Sequence, residues 1–177
     1  MSGVDINPKL SVNFSGVPLT LIGPRVRNVL KITKPEVEKV IAQDFLAHLR
    51  KELRKNNLGL IPLRATTVNQ KRKMGLKYPS VPMYGEGLDS PTSYISNIEM
   101  VETDKGIRVQ PSLRSHHGGL TVMKLAVIQA SGFNRGETVV PARNPIEAAV
   151  RTFKPKDSHF KVAKILRNRF RALWNLS

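Results

Sequence analysis

The sequence predicts a mixed α+β chain organised as one domain, and three observations carry that expectation. Apolar residues recur at three- and four-residue steps in several stretches, the mark of helices with one buried face. Residues 92–112 alternate about Thr103-Asp104-Lys105-Gly106, the mark of an antiparallel hairpin. Residues 139–153, VVPARNPIEAAVRTF, pass from one period to the other within a few positions.

The length of 177 residues fits one domain with an arm. Residues 1–32 read as an extended N-terminal arm. Leu10, Val12 and Phe14 alternate with polar neighbours as in a half-buried strand, and Pro18, Gly23 and Pro24 break up the apolar run after it. The domain proper is expected over 33–177. Its first helix starts at Thr33, where Thr33 and Glu36 form a capping-box pattern with Pro35 in the first turn. Val37, Val40, Ile41, Phe45, Leu49 and Leu53 make its apolar face, and Asn56, Asn57 and Gly59 stop it.

Residues 60–91 form a long connection holding a short helix near 66–74, ended by Gly75. From about 76 to 93, prolines 79, 82 and 91 and glycines 85 and 87 predict a long irregular loop. The hairpin follows, then a loop at 112–119, then a mostly buried helix over 120–132 closed by Gly132. Phe133-Asn134-Arg135-Gly136-Glu137 reads as a mobile turn. Val139 and Val140 favour a strand that Pro141 ends, since proline has no N–H for a ladder. Asn144 is an N-cap and Pro145 a first helical residue, so Ile146, Ala149, Val150 and Phe153 face one side of a new helix. The last helix is capped by Ser158 and carries an apolar stripe of Phe160, Ala163, Leu166, Phe170, Leu173 and Trp174.

Charge is the loudest feature of the composition: 29 Lys and Arg against 13 Asp and Glu, a net +16. A chain this basic seeks anions, whether nucleic acid, acidic protein surfaces or a membrane face. Lys161, Lys164, Arg167 and Arg171 share roughly one flank of the last helix and are candidate contacts to a polyanion; the bland alternative for each is a solvated face. Aromatic residues are not interleaved with these charges, which argues against base stacking on single strands. A hydrophobic content of 40% is too high for a disordered chain. Cysteine is absent, so no disulfide framework or thiolate metal site is expected. No membrane span or secretion signal is expected either, and the reading is of a soluble protein made in the cytoplasm.

Catalysis needs groups at spacings that can converge. His116-His117, before two glycines, is the nearest approach to a metal loop, but no carboxylate or third imidazole sits at ligand spacing. His48 sits beside an apolar helix face. The pairs Glu36/Glu38 and Glu102/Asp104 read as capping and solvation. There is no phosphate loop and no nucleophile elbow. The residues therefore predict no enzyme, no cofactor and no metal.

The order of pieces adds a resemblance. IPLRATTVNQKRK (61–73), VPMYGEGL (81–88), SYISNIEMV (93–101), KLAVIQASG (124–132) and VVPARNPIEAAV (139–150) follow a long helix and precede a closing one. In this order the chain resembles the phage virion-morphogenesis proteins that complete the tail or neck, also called head–tail joining proteins. The resemblance covers roughly 33–175. It departs from the family pattern at Asn144 and Pro145, at Ala130 and Ser131, and at Leu125. It implies an antiparallel sheet with a long N-terminal helix, a central helix and a basic C-terminal helix packed on it. It also implies a homo-oligomeric ring, often a hexamer, around the DNA path between capsid and tail. Expected partners are portal, adaptor or neck proteins, tail-tube or tail-terminator proteins, and DNA, with the protein residing in the virion. In that setting Pro141, Ala142 and Arg143 form a rigid interface corner. Arg143 then pairs either with a neighbouring subunit or with a backbone carbonyl of its own chain, and the residues leave both open. The alternative reading is a basic nucleic-acid-binding module without ring assembly.

Overall fold

The computed structural model describes residues 4–6, 23–76, 79–80, 94, 96–114 and 119–175. The elements are, in chain order, β1 (Val4–Ile6), α1 (Pro24–Lys55), α2 (Ala65–Lys73), β2 (Ile98–Thr103), β3 (Gly106–Pro111), α3 (Val122–Ser131), β4 (Phe133–Arg135), β5 (Thr138–Val140), α4 (Pro145–Thr152) and α5 (Lys156–Asn175). The fold is mixed α+β, as the sequence predicts. A three-stranded antiparallel sheet has the order β1-β3-β2, and β4 and β5 form a separate antiparallel hairpin.

The β2–β3 hairpin closes on Asp104 and Lys105, with Thr103 opposite Gly106. Gly106 sits at φ +132°, a conformation open to glycine, and the Thr103 hydroxyl donates to its carbonyl at 2.8 Å. Along β3 the period of two is plain, with Ile107, Val109 and Pro111 buried and Arg108 and Gln110 half-buried.

α1 lies against this sheet and is the spine of the core. Val37, Phe45, Leu49 and Leu53 are buried on its inner face together with Ile98, Ile107, Val109, Tyr94, Val122, Ala126, Ile146 and Ala149. Each large aliphatic or aromatic side chain removed from water here contributes about 1.5–3 kcal/mol. Phe153, just past α4, meets Phe45 edge to face at a centroid distance of 5.3 Å. α4 and α5 both pack on α1, and α3 packs on β3. The basic C-terminal helix is thus carried by α1, where the expectation had it on the sheet.

Three expectations are corrected. First, the C-terminal part of the arm expected over 1–32 is not extended: residues 24–32 are the first turns of α1, with Pro24 at the first helical position and Gly23 before it, while Val4–Ile6 is extended and is a strand of the sheet. The strand expected over 9–16 lies outside the described residues. The Thr33–Glu36 pattern is not a cap. The Thr33 hydroxyl donates back to Val29 O at 2.6 Å, and Glu36 accepts from Arg169 on α5 at 3.2 Å. Pro35 therefore sits inside a helix, where it removes one backbone bond.

Second, Ser158 lies within α5 rather than before it, and Phe160 is 81% exposed instead of lining the apolar stripe. Two ion pairs mark how α5 lies on α1: Lys161 with Asp44 and Arg169 with Glu36, eight residues apart on each helix and antiparallel. In this orientation Ala163, Leu166 and Phe170 are half-buried. Phe160 lies about 80° around the helix from Phe170 and falls outside the contact. The side chains of Leu173 and Trp174 are outside the described ones.

Third, Phe133–Arg135 is a strand rather than a mobile turn, paired with Thr138–Val140. α3 is less buried than expected, with Val122 and Ala126 inside and Val127 and Ile128 exposed. The short helix before Gly75, the hairpin, and the strand–corner–helix passage at 138–152 fall where the sequence puts them. Most of the loop expected over 76–93, and His116-His117, lie outside the described residues.

Candidate functional site

The corner at 141–144 joins β5 to α4 and is built from three separate parts of the chain. Pro141 ends the strand. The Asn144 side chain accepts from the Glu147 amide at 3.2 Å, and Pro145 fills the first helical position, so α4 starts as its sequence dictates. Between them Arg143 is only 6% exposed. Its backbone amide donates to Gln129 O in the last turn of α3 at 2.7 Å. Its side chain crosses to the segment before α2, where Nε donates to Ile61 O at 2.7 Å and Nη2 donates to Pro62 O at 3.0 Å. Of the two partners left open for Arg143, this is the backbone carbonyl of its own chain. The guanidinium is spent inside the molecule, and the corner is a joint between α3, α4 and residues 61–62.

Gly132 makes the joint possible. It sits at φ +70°, and a Cβ there would come within 2.8 Å of Val140 O and 2.9 Å of Ala142 N. The sequence marks Gly132 as a helix stop. Its second role, letting the corner's backbone press against the end of α3, shows only once β4–β5 folds back.

Arg143 also bears on Lys71 of α2, whose pKa is shifted. Lys71 is lowered from 10.5 to about 8, first by burial and then by the like charge of Arg143. Burial likewise lowers Arg143 itself. Beside the corner a half-open cleft of about 350 Å³ runs between residues 58–61 and α4; Ile61, Arg143, Glu147, Arg151 and Thr152 line it. Glu147 and Arg151 pair across one turn of α4. At the cleft's end His48 Nε2 lies 3.0 Å from Thr152 Oγ1. The Thr152 hydroxyl is also within reach of Ala149 O at 3.2 Å, and the His48–Thr152 bond fastens α1 to α4 whichever of the two groups donates. Among the described residues no three histidine or carboxylate side chains converge as a metal site needs, and no helix is long and apolar enough to cross a membrane.

The four candidate polyanion contacts on α5 divide. Lys161 is engaged with Asp44. Lys164, Arg167 and Arg171 are exposed and have no acidic partner among the described residues. The stripe they occupy is completed by exposed Phe160, not by Lys161. Glu38, read as a solvated residue, is 3% exposed: it packs beneath Gly106 of the hairpin and pairs with Lys34 at 3.5 Å.

No family model matches the chain, and neither a curated protein nor a solved structure matches it.

Proposed function

We propose that this chain is a structural virion protein of a tailed phage, one subunit of a homo-oligomeric ring at the neck or at the head-proximal end of the tail, around the DNA path. The observation that carries the reading is the tie between Arg143 and the carbonyls of Ile61 and Pro62. It joins the first and the last of the five segments in which the resemblance is written, 61–73 and 139–150. A joint of that kind suits a building block, because it fixes how one strand hands over to one helix and spends its charged group on rigidity. In this reading the protein is not an enzyme, needs no cofactor, is made in the host cytoplasm and ends in the virion. Its neighbours are portal, adaptor or neck proteins and tail-tube or tail-terminator proteins, with DNA passing through the ring.

Light scattering and negative-stain imaging of the full chain, alone and mixed with purified neighbouring virion proteins, test this. Closed rings, hexameric or otherwise, are the expected result. Monomers under both conditions would overturn it.

A second reading, a basic nucleic-acid-binding module without ring assembly, is favoured by Lys164, Arg167 and Arg171 on α5, which have no acidic partner among the described residues. Phosphate contact by such a face is blind to sequence and weakens steeply with salt. Tight, salt-sensitive binding of duplex DNA by a monomer would place it ahead of the ring.

A further inference from the structure

The outward face of α5 combines two chemistries that the sequence pattern keeps apart. Phe160, Lys164, Arg167 and Arg171 follow one another at steps of four, three and four residues. At 100° per residue they lie within about 60° of one another, and together they run roughly 16 Å along the helix. Phe160 is 81% exposed, the most exposed of the large apolar side chains among the described residues. Its one ring neighbour among the described residues is His159, edge-on at 6.2 Å, so the flat of the phenyl ring is not stacked on another. Asp157 is the only acidic residue in the α5 sequence.

From this we infer that the outer face of α5 is a binding track for single-stranded nucleic acid, with Phe160 as the platform for an unpaired base and Lys164, Arg167 and Arg171 as phosphate contacts. An isolated exposed phenyl ring costs solubility and is unneeded for a phosphate-only contact; at the head of a cation row it matches the stacking-plus-backbone mode by which proteins hold single strands. Duplex DNA hides the faces of its bases and would use the cations alone. An acidic peptide is the weaker fit, since the positive surplus of +16 spreads over the whole chain and suits an extended polyanion. Lys161 is left out of the track because Asp44 holds it. The inference deepens the polyanion reading and rests on it, and it is independent of whether subunits form a ring.

The experiment is fluorescence anisotropy on the full chain with labelled oligo(dT), a duplex of equal length and poly-glutamate, over a salt series. Phe160→Ala is expected to weaken oligo(dT) binding by about 5- to 100-fold, the range for losing one stacked base, and to change duplex binding by less than about twofold. Phe160→Trp restores it. Removing any one of Lys164, Arg167 or Arg171 as Gln flattens the log–log salt slope for the single strand by about 0.7, while Lys161→Gln changes it less. Since all these side chains are exposed, thermal melts serve as the check that each variant is folded. Equal oligo(dT) affinity for Phe160→Ala and the parent chain overturns the inference while leaving a duplex-binding face intact. Poly-glutamate binding as tight as oligo(dT) overturns it in favour of an acidic protein partner. Binding to none of the three probes removes both the inference and the polyanion reading beneath it, whatever light scattering says about rings.

Discussion

The guanidinium of Arg143 donates to the carbonyl of Ile61 at 2.7 Å, across 82 residues of chain. With the second bond to Pro62 it forms a charge-assisted fork onto two neighbouring carbonyls at the edge of the half-open cleft. Arg143→Ala leaves both carbonyls without this donor, and the loss expected is about 2 kcal/mol, read as a lower urea midpoint. Arg143→Lys recovers only part of it, because an ammonium on a flexible stem does not reproduce the planar fork. A lysine variant as stable as the parent would show that charge alone, not geometry, holds the joint.

Gly132 is the position least tolerant of substitution in the corner. Alanine there must adopt φ +70° and brings its Cβ to 2.8 Å from Val140 O, backbone that cannot swing aside. Conformational strain and overpacking together are expected to cost about 3 kcal/mol or more. Urea denaturation of Gly132→Ala checks this, with Gly136→Ala as the control: Gly136 also has positive φ but no atoms within reach of an added Cβ, so it bears the strain alone.

Lys71 gives the stability a pH signature. Its folded value is about 8 against 10.5 for the unshifted group, so the protonated form is disfavoured in the folded state. The unfolded chain holds this proton more tightly, and stability must rise with pH wherever that difference operates. The burden is fully present below pH 8 and is lifted as pH climbs from 8 towards about 10.5. Between pH 7.5 and 9.5 the parent chain is therefore expected to gain stability relative to Lys71→Gln. In an Arg143→Ala background the gain shrinks but persists, because burial is the larger cause. Parallel urea curves for the parent and Lys71→Gln at both pH values would contradict it.

Asn144 is a simple cap. Its replacement by Ala removes the acceptor for the Glu147 amide and is expected to cost about 1 kcal/mol, whereas Asn144→Ser keeps an acceptor and stays nearer the parent; the Asn144 amide also donates to Glu147 Oε2 at 3.4 Å. Chemical denaturation distinguishes the two.

What could be read in advance follows the range of the interactions. Asn144 and Pro145, the Thr103–Gly106 turn and Gly75 act on their immediate neighbours, so their elements begin and end where the residues say. The start of α1 could not be read that way. Pro24 and Pro35 are both good first helical residues, and the choice between them is made by packing on distant elements, among them the sheet, α4 and α5. Phe160 fails for the same reason, since the face of α5 that is inward depends on how the helix packs on α1. At the corner, Pro141, Ala142 and Arg143 are visible as a motif, but the carbonyls that Arg143 meets are backbone atoms of a distant segment, and no side-chain pattern announces them.

The place of β1 bears on the order in which the molecule assembles. Val4 pairs with Val109, while β2 and β3 are joined by two residues. Closing the longer span carries a large entropy cost for only three residues of pairing, so the hairpin and the helix it rests on must come together before β1 has an edge to join. The sheet is then completed from outside, by the segment farthest away along the chain, and its amide protons are expected to be the first of the three strands to exchange with solvent.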